Sequence, residues 1–147
     1  MVMTKAESVE VRLPSVLGFE KVAMGTAASA ARLMGFSDDR VEDLKTAIAE
    51  ACINAMEHGN RFNENLRVAV TLTLSDDALE VRVADRGTGM KKPVIAPDID
   101  RKMHGDEPPR GLGLFLIQSL VDEVEWVAAG PDGGSYVRLV IRLKKDT

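Results

Sequence analysis

Glu50-Ala51-Cys52-Ile53-Asn54-Ala55-Met56-Glu57-His58-Gly59 closes a run of helical periodicity that begins near Asp38. At about 100° per residue, Val41, Leu44, Ile48, Ala51, Cys52 and Ala55 fall on one arc, the apolar face of a helix packed on a core. Glu50, Asn54 and His58 follow at i, i+4 and i+8, so they form a polar ridge beside that face. A solvated surface stripe would account for Glu50 taken alone. Asn54 fits that explanation less well, because asparagine is a weak helix former and here stands mid-helix, at no cap. An amide oxygen in that place suits a hard cation, and a carboxylate one turn earlier suits a general base.

Downstream, Leu66, Val68, Val70, Leu72 and Leu74 alternate with Arg67, Ala69, Thr71 and Thr73. After Ser75-Asp76-Asp77, Leu79, Val81 and Val83 alternate with Glu80, Arg82 and Ala84. Period two on both sides of a turn predicts an antiparallel hairpin. Asp85 continues the parity of Leu79, Val81 and Val83 and so points to the buried face, where a carboxylate needs a partner. Asp-Arg-Gly is also ordinary turn chemistry, which would make Asp85 simply the start of a turn. The following Gly87-Thr88-Gly89 gives a backbone free to take positive φ and to approach a flat ligand closely. An exocyclic amine, such as that of adenine, would satisfy the carboxylate.

A second glycine pair, Arg110-Gly111-Leu112-Gly113-Leu114, opens a short helical segment that runs to Val121. Helix N-termini with unencumbered N–H groups bind phosphate, although a glycine-rich loop-to-helix turn has the same sequence. No glycine is followed by lysine, which excludes a P-loop. Neither pair has the third glycine of the dinucleotide fingerprint, and no His-Arg-Asp catalytic loop is present. A nucleotide would have to be held in another way.

The flanking elements follow from the same patterns. Ser8 to Leu13 alternates as a strand ending at Pro14, and Ser15 to Met34 has helical spacing with Gly35 at the C-terminal cap. Ser37 is an N-cap with Asp38 and Asp39 in the first turn of the helix that reaches Gly59. Val124 to Ala128 reads as a strand, Pro131-Asp132-Gly133-Gly134 as a turn, and Tyr136 to Leu143 as the last strand. Between Lys91 and Arg110 stand Pro93, Pro97, Pro108 and Pro109 and no periodicity, the mark of a long functional or disordered loop.

The 147 residues, with 45% hydrophobic residues and a net charge of -4, describe one soluble domain without internal repeats. A chain of this length buries roughly 68–70% of its unfolded surface and needs no disulfide or structural metal to hold its core. The single cysteine, Cys52, cannot make an internal disulfide, and Cys52, His58 and His104 lack paired metal-ligand spacing. No apolar run of about 18 residues and no signal pattern occurs, so no membrane is expected and the expected address is the cytoplasm. An acidic chain without a dense Lys/Arg block is a poor fit to a nucleic acid backbone.

Taken together, Glu50 to Gly59, Asp85-Arg-Gly87-Thr-Gly89 and Arg110-Gly111-Leu-Gly113-Leu114 resemble, in order and spacing, the N, G1 and G2 boxes of the GHKL ATPases. Within that superfamily the chain is similar to the small bacterial anti-sigma-factor serine/threonine kinases, a likeness that runs from about Ser8 to Lys144. It extends to Val41 through Glu50 and to Leu116 through Val124. The resemblance implies a Bergerat fold: an α+β two-layer sandwich with helices on one face of a mixed, mostly antiparallel sheet. It implies ATP as the nucleotide, Mg²⁺ held by Asn54, Glu50 as general base and Asp85 on the adenine amine. Gly87, Gly89, Gly111 and Gly113 would be flexible walls, with Arg110, Leu112 and Leu114 in the same box and residues 91–110 the ATP lid. His58 follows the family pattern either as a phosphate contact or as a capping residue. Arg110 adjoins Gly111 directly, where some relatives interpose a residue, and Ser135 stands where relatives often carry threonine. The implied function is phosphorylation of an anti-anti-sigma (STAS-domain) partner and sequestration of a sigma factor, with a homodimer as a further expectation. A nucleotide-gated binding switch of the same fold, without kinase chemistry, is the alternative.

Overall fold

The computed structural model describes residues 5–87, 110–128 and 134–143. In chain order the elements are β1 (Glu7–Pro14), α1 (Glu20–Met34), α2 (Asp38–Asn54), a π-helical turn (Ala55–Gly59), β2 (Arg67–Leu74) and β3 (Ala78–Ala84). They continue with α3 (Arg110–Leu120), β4 (Glu123–Val127) and β5 (Tyr136–Arg142). Gly89, His104, the expected lid apart from Arg110, and residues 131–133 of the expected turn lie outside the described residues.

The strands form one sheet in the order β1-β2-β3-β5-β4. Period-two burial fixes its two faces. Val68, Val70, Leu72 and Leu74 on β2, Leu79, Val81 and Val83 on β3, and Leu139 and Ile141 on β5 are all buried, while their alternates are exposed or half-buried, apart from Val140 on β5, which is buried as well. The buried parity meets α1, α2 and α3 in one hydrophobic core, so the helices share one face. All four pairings are antiparallel, where a mixed sheet was expected. The reason is topological: β4 runs in the direction of β3, but β5 lies between them and pairs with both, so no parallel ladder forms.

Helix α2 is central, with α1 on one flank and α3 on the other. Its apolar arc is buried as the wheel requires, including Val41, Leu44, Ile48, Ala51 and Cys52. Ala23, Ala27 and Ala31 of α1 recur every fourth residue and are fully buried, so small side chains let the two helices approach closely. Gly35 caps α1 with φ +98°, and the Ser37 hydroxyl accepts from the Arg40 N–H at 3.3 Å to start α2.

Two boundaries differ from the periodicity. Helix α1 starts at Glu20 rather than Ser15, because Gly18 at φ +109° interrupts any helix and the chain turns through Val16 N–H to Pro14 O at 2.8 Å. The helix expected to reach Gly59 does so only by changing pitch after Asn54. In the π turn the Asn60 N–H reaches back five residues to the Ala55 carbonyl at 2.8 Å, which rotates His58 off the straight Glu50–Asn54 line.

Candidate functional site

The site lies where α2 becomes π-helical, over the ends of β3 and β5. Asn54 closes α2, is only 8% exposed, and its Nδ2 is buried without a hydrogen-bond partner. An orphaned buried amide is rare in folded proteins, and π turns recur at functional sites. Asn54 lines a pocket open to solvent, with Ala51, Val83 and Val137 among its apolar walls and the Trp126 ring beside them. Its other polar groups are Asp85, Ser135, the Tyr136 hydroxyl and the indole N–H of Trp126, which is also buried without a partner.

Asp85 follows β3 on the parity that turns it inward, and it is 8% exposed. The Ser135 hydroxyl donates to Oδ2 at 2.7 Å, and the N–H groups of Gly87 and Ser135 donate to Oδ1 at 3.1 and 3.3 Å. A carboxylate has about four acceptor positions, so three donors leave one free for a ligand. Burial holds the carboxyl above the ordinary aspartate value, and the hydrogen bonds from Ser135 and Gly87 oppose that shift.

Backbone closeness makes this arrangement possible. A side chain at Gly59 would run into the Asp85 carboxylate, and one at Gly87 would overlap the Gly59 carbonyl. The Gly134 N–H donates to the Gly87 carbonyl at 3.1 Å, with Gly134 at φ +81°, a conformation favourable to glycine. The two strand ends are thereby closed around Asp85.

Glu50 is half-buried on α2 and faces α3: a Cβ at Gly113 would lie 2.8 Å from its Oε2. An acidic side chain is electrostatically favoured beside a helix N-terminus. Arg110, Gly111 and Leu112 form the first turn of α3. Leu114 is fully buried in the core, so any part it takes in a site is through its backbone. His58 is half-buried in the π turn, its Nε2 3.6 Å from Glu57 Oε2. Among the described residues no group of three His, Cys, Asp or Glu could hold a metal ion, and no helix is long and apolar enough to cross a membrane.

Residues 19–141 match the family described as the histidine kinase-like ATPase domain. This chain belongs to that family. It is 34% identical over 129 residues to the serine-protein kinase RsbW of Bacillus cereus, covering 84% of this chain and 79% of that one. The RsbW of Bacillus mycoides is similar to the same extent. These relatives place the chain among the RsbW-type serine-protein kinases. The fold also matches part of the structure of the RsbU and RsbW domains of a Mycobacterium tuberculosis protein, at TM-score 0.67 and 20% identity over 96% of this chain. The chain spans about a third, 34%, of that longer structure. A SiaB–SiaC complex from Pseudomonas aeruginosa matches at TM-score 0.59 and 14% identity, over 92% of this chain and 89% of that one.

In this histidine kinase-like ATPase domain, the fold brings Asn54, Asp85 and Ser135 into one pocket and sets Glu50 apart, against α3. Trp126 and Tyr136 also line the pocket and were not singled out by their sequence context. Register was the available signal for Trp126, which pairs with the buried Val137 and so lies on the helix face.

The raised Asp85 carboxyl predicts a pH-dependent stability. The native state holds its proton to higher pH than the unfolded chain, so stability falls as pH rises from the unfolded toward the folded value and stays lower above it. Asp85→Asn keeps an acceptor for the backbone N–H groups and a donor for Ser135, and removes the buried charge. We expect Asp85→Asn to melt above the wild type at neutral pH, the gain shrinking as pH falls below the ordinary carboxylate range. Thermal melts between about pH 3 and 8 check this; a difference independent of pH would refute it.

Proposed function

We propose that this chain is an ATP-dependent serine/threonine kinase that phosphorylates an anti-anti-sigma protein of the STAS class and sequesters a sigma factor. The observation that carries the reading is the buried, unpartnered amide of Asn54, facing the same pocket as Asp85 and one helical turn from Glu50. In this reading Asp85, oriented by Ser135, accepts the adenine amine, and Ala51, Val83 and Val137 are apolar walls for the base. The start of α3, Arg110 to Gly113, offers backbone N–H groups to the phosphates, and residues 91–110 act as the lid. His58, in the same turn, serves in this reading either as a phosphate contact or as a capping residue.

The donor set fits Mg²⁺. Rotating the Asn54 amide presents its oxygen, and Mg²⁺ takes one or two protein oxygens, completing its shell with substrate phosphates and waters. When bound, it neutralises charge on the transferred phosphoryl group. Glu50 receives the proton of the attacking hydroxyl, and the remaining catalytic work is positioning and electrostatics. A protein substrate is consistent with the apolar Leu17, Phe19 and Val22, exposed around the start of α1. The sigma factor and a second copy of the chain are the further partners in this reading.

The test incubates the purified chain with Mg-ATP and a purified anti-anti-sigma protein of the STAS class. Mass spectrometry is expected to find one phosphorylated serine or threonine on that protein. Mg-ATP is expected to stabilise the kinase, by roughly 2.7 kcal/mol at 100-fold above its Kd. Stabilisation without a phosphoprotein would reduce the protein to a nucleotide-gated binding module, and a flat melting curve would remove the nucleotide altogether.

A further inference from the structure

Asn60 has no part in the chemistry above, yet its side chain makes four hydrogen bonds beside the pocket and it is 2% exposed. Its Nδ2 donates to Ser15 Oγ at 2.9 Å and, less directly, to the carbonyls of Arg67 at 3.3 Å and Leu66 at 3.4 Å. Its Oδ1 accepts from the Arg86 N–H at 2.9 Å. Ser15 in turn donates to the Leu66 carbonyl at 2.6 Å. One amide therefore ties four chain segments together: the end of the π turn, the loop after β1, the start of β2, and the residue that follows Asp85.

Only an amide of this length serves both ends. The Arg86 side requires an acceptor, and the Leu66 and Arg67 side requires a donor. Aspartate would set a carboxylate against two carbonyls, serine would not span the gap, and alanine would leave buried groups unpaired. The backbone around Asn60 is also held away from its preferences. Arg61 and Phe62 follow with φ of 52° and 55°, left-handed values that side-chain-bearing residues avoid unless the surroundings enforce them. On the other side, a Cβ on Gly87 would lie 3.1 Å from the Asn60 Cα, so the π turn and the Asp85 loop are in backbone contact here.

We infer that Asn60 is a positioning residue for base recognition: it fixes the Asp85–Gly87 backbone against the π turn, so that the Asp85 carboxylate stands at a set distance from Asn54. The inference rests on the reading of Asp85 as the acceptor for the adenine amine. It assigns base selectivity to a residue that never touches the nucleotide. Arg86 passes the effect to Asp85 through the main chain.

The experiment compares Mg-ATP with the triphosphate of purine riboside, which lacks only the 6-amino group, by titration calorimetry. Wild type is expected to favour ATP by about tenfold or more, as a hydrogen bond to a charged acceptor requires. Asn60→Ala and Asn60→Asp are expected to bring that ratio within about threefold of unity, with affinity for the analogue changed less than affinity for ATP. A variant that weakens both nucleotides in parallel, keeping the wild-type ratio, would overturn the positioning role and leave Asp85 as the amine acceptor. A wild type that binds both nucleotides equally would instead remove the Asp85 reading and this inference with it. Should Asn60→Ala not fold, Ser15→Ala, which unseats only the Nδ2 end, carries the test. At least a twofold fall in the ratio is expected there, and an unchanged ratio would overturn the inference.

Discussion

Replacing Glu50 with glutamine is expected to lower phosphotransfer to the partner protein by about 10²–10⁴, the usual contribution of a positioned general base. Nucleotide affinity should stay within a few-fold of wild type, because Glu50 does not line the pocket that holds Asn54 and Asp85. Glutamine is the informative change. The carboxylate fills space that exists because residue 113 has no side chain, a Cβ there lying 2.8 Å from Oε2, so an isosteric amide keeps the packing between α2 and α3. Glu50→Ala removes that contact as well and should add a loss of thermal stability that Glu50→Gln does not show. Single-turnover transfer with saturating Mg-ATP separates the chemical step from binding. If Glu50→Gln transfers phosphate at the wild-type rate, Glu50 is a packing residue of the α2–α3 interface and the proton goes elsewhere.

The sequence was most informative where one face of an element is buried and least where two distant backbones meet. The β2–β3 hairpin, the apolar arc of α2 and the inward parity of Asp85 were legible because burial imposes a period on neighbouring residues. The partner of Asp85 was not: Ser135 stands 50 residues away, and only the pairing of β3 with β5 brings its hydroxyl to the carboxylate. Trp126 entered the pocket unannounced for the same reason, since β4 packs beside β5 rather than beside the strand it follows. The change of pitch after Asn54 has little local signature beyond Asn54 itself. Ala55 to His58 would continue an α-helix by propensity, and the restraint that meets the π turn at its end is tertiary, the anchoring of Asn60 on Ser15, Leu66, Arg67 and Arg86. Asn54 stood out in the sequence as misplaced in mid-helix, and that anomaly marks the residue at which the helix changes pitch.

Gly87→Ala is expected to be severely disruptive, and for a reason of space rather than conformation. No left-handed φ is required at Gly87, in contrast to Gly134 at φ +81°, so alanine could adopt its backbone. The added methyl would nevertheless overlap the Gly59 carbonyl, and backbone atoms cannot rotate aside as a side-chain end would. Relief requires the Asp85–Gly87 segment to move off the π turn. That movement strains the bond from the Gly87 N–H to Asp85 Oδ1 at 3.1 Å and the bond from the Gly134 N–H to the Gly87 carbonyl at 3.1 Å. Overpacking of this kind costs about 1–3 kcal/mol, and we expect the upper end, together with at least a tenfold loss of ATP affinity because Asp85 moves with the segment. Gly25→Ala supplies the control with the opposite sign. Gly25 lies inside α1 with nothing within 4 Å of an added Cβ, so alanine there should stabilise by roughly 0.5–1 kcal/mol and leave nucleotide binding unchanged. Thermal melts and calorimetric titration of the two variants decide the matter. A Gly87→Ala protein that melts and binds ATP like the wild type would mean that the strand end yields freely, and that the contact between Gly59 and Gly87 does not set the shape of the base pocket.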